Sequence, residues 1–118
     1  MSDSQERNEN VSLRQLQKAV REFAAIRNWT RFHNPKNVAE AIVVEAAELL
    51  ECFQWRTDDS CLSQSLDDTT RLAIESELAD VVIYGLNLAN ALDVDATEVV
   101  QAKLEKNATR YPAPFARE

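Results

Sequence analysis

Glu45 and Glu48 in VVEAAELL, and Glu77 and Asp80 in SELADVV, form two acidic pairs, each one helical turn apart, inside the most apolar stretches of the chain. An ionised carboxylate buried without a partner is strongly disfavoured, so such groups sit at a solvent edge, pair with a base, or hold a metal ion. If the two segments pack together, four carboxylates meet, and a divalent cation relieves their repulsion. Oxygen-only ligands select a hard ion. A small set that leaves room for water and phosphate oxygens suits Mg²⁺, with Mn²⁺ as substitute, better than Zn²⁺. The competing reading keeps each pair on a wet helix edge or in salt bridges to nearby Lys and Arg, since Glu is a common helix former.

Two further constellations accompany the acids. Lys103, Asn107 and Arg110 recur at i, i+4 and i+7, which places them in one stripe of a helix. A mobile ammonium, a planar guanidinium and an amide together suit a polyphosphate tail, although cations near a helix C-terminus also simply complement its dipole. Trp29, Trp55 and Tyr84 offer flat faces on which a base can stack, and they serve equally as packing groups. His33, the single histidine, lies in the loop FHNPKN, where it either caps and packs or touches a ligand.

The elements that position these residues read as helices throughout. A single glycine, three prolines and long runs at 3.6-residue spacing leave no place for alternating strands. A first helix is expected over 12–28, opened by a Ser12/Gln15 capping box, with Leu13, Leu16, Val20, Phe23 and Arg27 on one side. A second spans 35–55, with Pro35 at its first turn after Asn34. At about 100° per residue its core stripe is Val38, Ile42, Ala46, Leu49 and Phe53. Glu45 falls in or beside that stripe, Glu48 at its edge, and Glu51 well outside. The polar stretch 57–70 is a lid or a crossover connection. A third helix over 70–92 is apolar nearly all round after Leu78, so it packs on two sides, within the subunit and against a second one. Glu77, Asp80 and Tyr84 share one of its faces. The fourth helix opens at Asp95 with DATE and stops at YPAP after Arg110. The expected fold is all-α: a four-helix bundle-like subunit, residues 12–111, assembled into a dimer or a tetramer, with a disordered tail at 1–11 and a second tail at 112–118.

Composition narrows the partners. With 13 basic against 20 acidic residues and a net charge of −7, the chain lacks the field that a nucleic acid polymer requires. It carries no apolar run long enough for a membrane span, and its N-terminal segment MSDSQERNEN is not a signal peptide, so a cytoplasmic protein is expected. Cys52 and Cys61, without CxxC spacing, read as free thiols. A di-iron carboxylate bundle would require Glu-x-x-His on two helices, and the sole histidine lies in a loop.

Four segments in order, EFAAIRNWTRFHNPKN, VEAAELLECFQW, ELADVVIY and KLEKNATRYP, resemble the all-α nucleoside triphosphate pyrophosphohydrolases of the MazG type, and within them the dCTP pyrophosphatase group. The resemblance covers most of 21–112. It implies Mg²⁺-dependent cleavage of dCTP, or a modified dCTP, between the α and β phosphates, in a dimer or a dimer of dimers. It further implies Glu45, Glu48, Glu77 and Asp80 as metal ligands and catalytic groups, and Lys103, Asn107, Arg110 and Tyr111 facing the triphosphate and sugar. Trp29, Trp55 and Tyr84 match aromatics near the base. Two positions depart from the pattern: Ala79 replaces a frequent Ser, and Val20 stands where a close relative carries a polar residue near the base. The alternatives are a broader pyrophosphatase acting on dUTP and other nucleotides, and a helical oligomer that binds nucleotide without turnover.

Overall fold

The computed structural model describes residues 9–114, and within them the regular structure is helical: α1 (Leu13–Ile26), α2 (Pro35–Glu51), α3 (Asp68–Leu92) and α4 (Ala96–Arg110), with short 3₁₀ turns between. The tails expected at 1–11 and 112–118 fall partly outside the described residues, which exclude 1–8 and 115–118.

Each helix starts where local chemistry satisfies its free amides. Ser12 and Gln15 form a complete capping box on α1, at 3.1 and 2.7 Å. Asn34 caps α2 ahead of Pro35, Asp67 caps α3, and Asp95 accepts from Thr97 and Glu98 to start α4. Helix ends are made without glycine. Asn28 (φ 60°) and Asp93 (φ 57°) take the left-handed conformation instead, which short polar side chains tolerate. After α1, Asn28 N donates to Ala25 O and Trp29 N to Ala24 O, and after α3, Asp93 and Val94 repeat the pattern with Asn90 and Ala89. The single glycine, Gly85, lies inside α3 with open space where a Cβ would stand.

α2 and α3 pack most extensively, α1 crosses α3, and α4 leans on α1. The polar stretch before α3 is a tethered crossover. Arg56 donates to Ser60 O and Thr70 Oγ1 at 3.0 and 3.1 Å, and Arg71 donates to the carbonyl and hydroxyl of Ser63.

Three expectations need correcting. Helix α2 stops at Glu51, not near residue 55. From Cys52 to Gln54 the amides bond to the carbonyl three residues back rather than four, which tightens the chain out of the α-helix. Ala46 of the expected core stripe is exposed; Val38 is fully buried, and Ile42, Leu49 and Phe53 are half-buried. On α1, the buried residues are Gln17 and Ala24, while Leu16 and Phe23 of the apolar stripe remain about half exposed. That stripe faces an open groove against α3 instead of a closed core.

Candidate active site

The spacing of the acids brings them together. Glu45 and Glu48 on α2 face Glu77 on α3, and one carboxylate oxygen from each lies within 4.8 Å of the others. Asp80 lies one turn beyond Glu77 on α3, near enough for its charge to act on Glu45 and Glu77. All four are half-buried, whereas Glu51 is exposed, as its helical angle predicts. Burial pushes the Glu45 carboxyl above the ordinary carboxylate range, with the charges of Glu48, Asp80 and Glu77 adding to it. Burial likewise raises Glu77, followed by the charges of Glu48, Asp80 and Glu51.

Salt bridging does not neutralise the cluster. The ion pairs among the described residues join Arg14 to Asp95 and Glu98, and Lys36 to Glu40, all elsewhere. Glu77 Oε2 is buried with no hydrogen-bond partner. An orphaned acceptor inside a set of hard oxygen donors fits a divalent cation of the Mg²⁺ or Mn²⁺ type.

Beside the cluster lies a cavity of about 450 Å³ between α1 and α3. Asp80, one turn from Glu77, lines the cavity with Trp29, His33 and Tyr84, against apolar walls from Val20 and Phe23. The left-handed turn at Asn28 sets Trp29 back over α1, where its ring meets Phe23 edge-on at 5.7 Å between centroids. Arg27 in turn stacks on the other aromatic of that pair, its guanidinium 3.5 Å from the Phe23 centroid.

An all-helical chain with a carboxylate cluster opening onto an aromatic cavity is what the motif resemblance implies, and comparison with known proteins decides the family. A model described as the MazG-like family matches residues 40–118. The chain belongs to the MazG-like family. Over 106 residues, 90% of its length, this MazG-like chain is 42% identical to dCTP pyrophosphatase 1 of Homo sapiens and 39% identical to that of Mus musculus. It spans 62% of the length of each. The crystal structure of a pyrophosphatase from Archaeoglobus fulgidus superposes with a TM-score of 0.75 at 37% identity, covering 92% of this chain and 99% of the other.

Other expected residues lie apart from the cavity of the MazG-like subunit. Trp55 follows the end of α2 and is 89% exposed. On α4, Lys103 and Arg110 are exposed and Asn107 half-buried, and Arg110 lies over the Tyr111 ring at 5.2 Å. Neither the cavity nor the carboxylate cluster includes any of these five. Sequence reasoning missed Asn87, a buried amide on the cavity wall. Extending the Asp80/Tyr84 face by three residues would have found it.

Proposed function

We propose that this protein is a divalent-metal-dependent nucleoside triphosphate pyrophosphohydrolase that cleaves dCTP or a modified dCTP between the α and β phosphates, giving the monophosphate and pyrophosphate. The observation that carries the reading is the continuity of the site: Asp80 lines the aromatic cavity and sits one helical turn from Glu77 of the carboxylate cluster, so the two adjoin along one face of α3. A nucleotide with its base in the cavity thereby sets its phosphates against the acids.

Glu45, Glu48, Glu77 and Asp80 would hold Mg²⁺, or Mn²⁺ in its place, which supplies Lewis acidity towards phosphate oxygens and makes water more acidic. A carboxylate oxygen of the set left free accepts the proton as water attacks the α-phosphorus in line with departing pyrophosphate. Trp29 and Tyr84 stack the base, and His33 bounds the same cavity. The names of the human and mouse relatives support a cytosine deoxynucleotide as substrate.

A second copy of the chain completes this reading. Among the described residues few apolar side chains are buried, namely Ala24, Val38, Leu86 and Ala89, while Leu72, Leu78, Val82 and Ile83 along α3 stay 42–66% exposed. Such a surface supports a homodimer or a dimer of dimers. In that assembly a partner's α4 carries Lys103, Asn107, Arg110 and Tyr111 towards the triphosphate, and Trp55 reaches the nucleotide. No described helix is long and apolar enough to cross a membrane, consistent with action in the cytoplasm.

The test is pyrophosphate release from dNTPs, NTPs and 5-methyl-dCTP, with Mg²⁺ and with EDTA, on wild type and Glu48→Ala. Metal-dependent release that is strongest for cytosine deoxynucleotides and lost in the variant is expected. Similar rates for dUTP would favour the broader pyrophosphatase, and absence of release from every nucleotide would favour binding without turnover.

A further inference from the structure

We propose that Asn87 reads the hydrogen-bonding edge of the base and is the residue that sets base preference, a role that rests on the pyrophosphohydrolase reading above. Asp80, Tyr84 and Asn87 follow one another at i, i+4 and i+7 on α3, so the face that begins in the carboxylate cluster ends on this amide. Asn87 is only 8% exposed. Its side chain has no hydrogen-bond partner among the described residues, yet a buried amide ordinarily finds one. It borders the aromatic cavity and, with His33, a smaller recess of about 140 Å³ behind it.

Its neighbour one turn on makes the contrast. Asn90 accepts from Gln17 Nε2 and Arg21 Nη2, both at 3.0 Å, and donates to Gln17 O at 3.2 Å. That amide is consumed in holding α1 to α3. The Asn87 amide is not, and it lines a cavity whose walls are otherwise largely apolar. Stacking on Trp29 and Tyr84 accepts any base, because every base has a flat face, so discrimination needs a polar group at the edge. Asn offers a donor and an acceptor side by side. Against cytosine its NH₂ donates to N3 while Oδ1 accepts from the exocyclic amine. Turned over, it would accept from N3–H of uracil and donate to O4, so the orientation in which the bound amide is held is what selects the base. Exchanging the amide for a carboxylate leaves acceptors alone, which pair with only one of the two edge groups of either base.

The experiment measures kcat/KM for dCTP, dUTP and the 5′-triphosphate of abasic deoxyribose on wild type, Asn87→Leu and Asn87→Asp, with circular dichroism to verify folding. Asn87→Leu should lower kcat/KM for the preferred base by roughly 10- to 100-fold, the usual worth of a paired base edge, and compress the ratio between bases. That loss should exceed any change with the abasic analogue, which a purely structural role would alter equally. The thermal midpoint should hold, since the variant loses no hydrogen bond made among the described residues. Asn87→Asp should likewise lower kcat/KM for the preferred base and compress the ratio between bases, because its carboxylate loses one of the two edge bonds. Unchanged base ratios in both folded variants overturn the proposal. Should the wild type hydrolyse no nucleotide, the pyrophosphohydrolase reading fails separately, and calorimetric binding of dCMP and dUMP takes over the readout. Selectivity there that disappears in Asn87→Leu upholds the role of Asn87, and equal or absent binding in both proteins overturns it.

Discussion

Gln17 is a long polar side chain at 6% exposure in the middle of α1, and replacing it with leucine tests what fixes α4. Its Nε2 donates to Val94 O at 2.8 Å and to Asn90 Oδ1 at 3.0 Å, and its Oε1 accepts from Ala96 N, the first amide of α4, at 2.9 Å. One side chain thus ties α1 to α3, to the turn after it and to the start of α4. Three neutral hydrogen bonds at a net worth of about 1 kcal/mol each give about 3 kcal/mol. Leucine returns about 1 kcal/mol through its apolar burial, leaving a loss of about 2 kcal/mol. For a domain of this size that lowers the thermal midpoint by about 10 °C. The assay is thermal unfolding by circular dichroism at fixed protein concentration, because association also moves the midpoint. Hydrogen exchange at the Ala96 amide should accelerate alongside. A midpoint within 2 °C of wild type (about a fifth of the expected shift) with unchanged Ala96 protection would refute the reasoning. Water would then be replacing the amide, and α4 would owe its position to something else.

Other perturbations have signs worked from the same structure. Val38→Ala, at the one fully buried large side chain, should cost about 2 kcal/mol in chemical denaturation through lost burial and a residual cavity. In EDTA, Glu77→Gln should raise the midpoint by relieving repulsion at an unpaired buried oxygen, while the upward shift given by saturating Mg²⁺, roughly 10 °C at a hundredfold over Kd for the wild type, should shrink in the same variant. The raised carboxyls of Glu45 and Glu77 bind protons more tightly in the folded state, so their effect is favourable below the ordinary carboxylate range and is lost as pH rises through their folded values. Metal-free protein should accordingly melt higher at pH 5 than at pH 7, and Glu45→Gln with Glu77→Gln should flatten that slope. Asp95 has the opposite sign. The Arg14 hydrogen bond and the helix amides hold its carboxyl low, so stability from it is present above the ordinary carboxylate range and lost as pH falls through the lowered value, an acid limb that Asp95→Asn should weaken in pH-dependent melting.

Local chemistry was legible in the sequence. Ser12, the Asn34/Pro35 pair and Asp95 start helices through contacts within three residues, and the structure forms each of them. That Glu45 and Glu48 meet Glu77, with Asp80 one turn on, was legible too, because helical angle and apolar context fix which faces meet. What escaped depends on surfaces a single chain does not reveal. Leu16 and Phe23 have core periodicity but line a ligand-sized groove, so their pattern says apolar surroundings without saying whose. Asn87 escaped because an amide inside an apolar run looks like a solvent-facing position until the opposite helix is in place. The tightened turns at 52–54 result from a change of hydrogen-bond register that residue preference does not encode.

Charge balance makes the case for a shared site. The cluster gathers Glu45, Glu48 and Glu77, with Asp80 one turn on, and the chain as a whole is at −7; the triphosphate proposed as substrate would add negative charge, which the cations at Lys103 and Arg110 would offset. Within one subunit these residues lie on α4, which packs against α1 and contributes nothing to the cavity. A second copy is the economical way to bring them in. Subunit mixing tests this directly. Glu48→Ala and Arg110→Met should each be inactive alone. Mixed one to one after reversible dissociation, they should recover about a quarter of wild-type activity, because half the dimers are hybrid and each hybrid holds one intact site of two. A mixture that remains as inactive as its parents would mean that both residues serve the same chain's site, and α4 would then have to swing towards α2 and α3 when nucleotide binds.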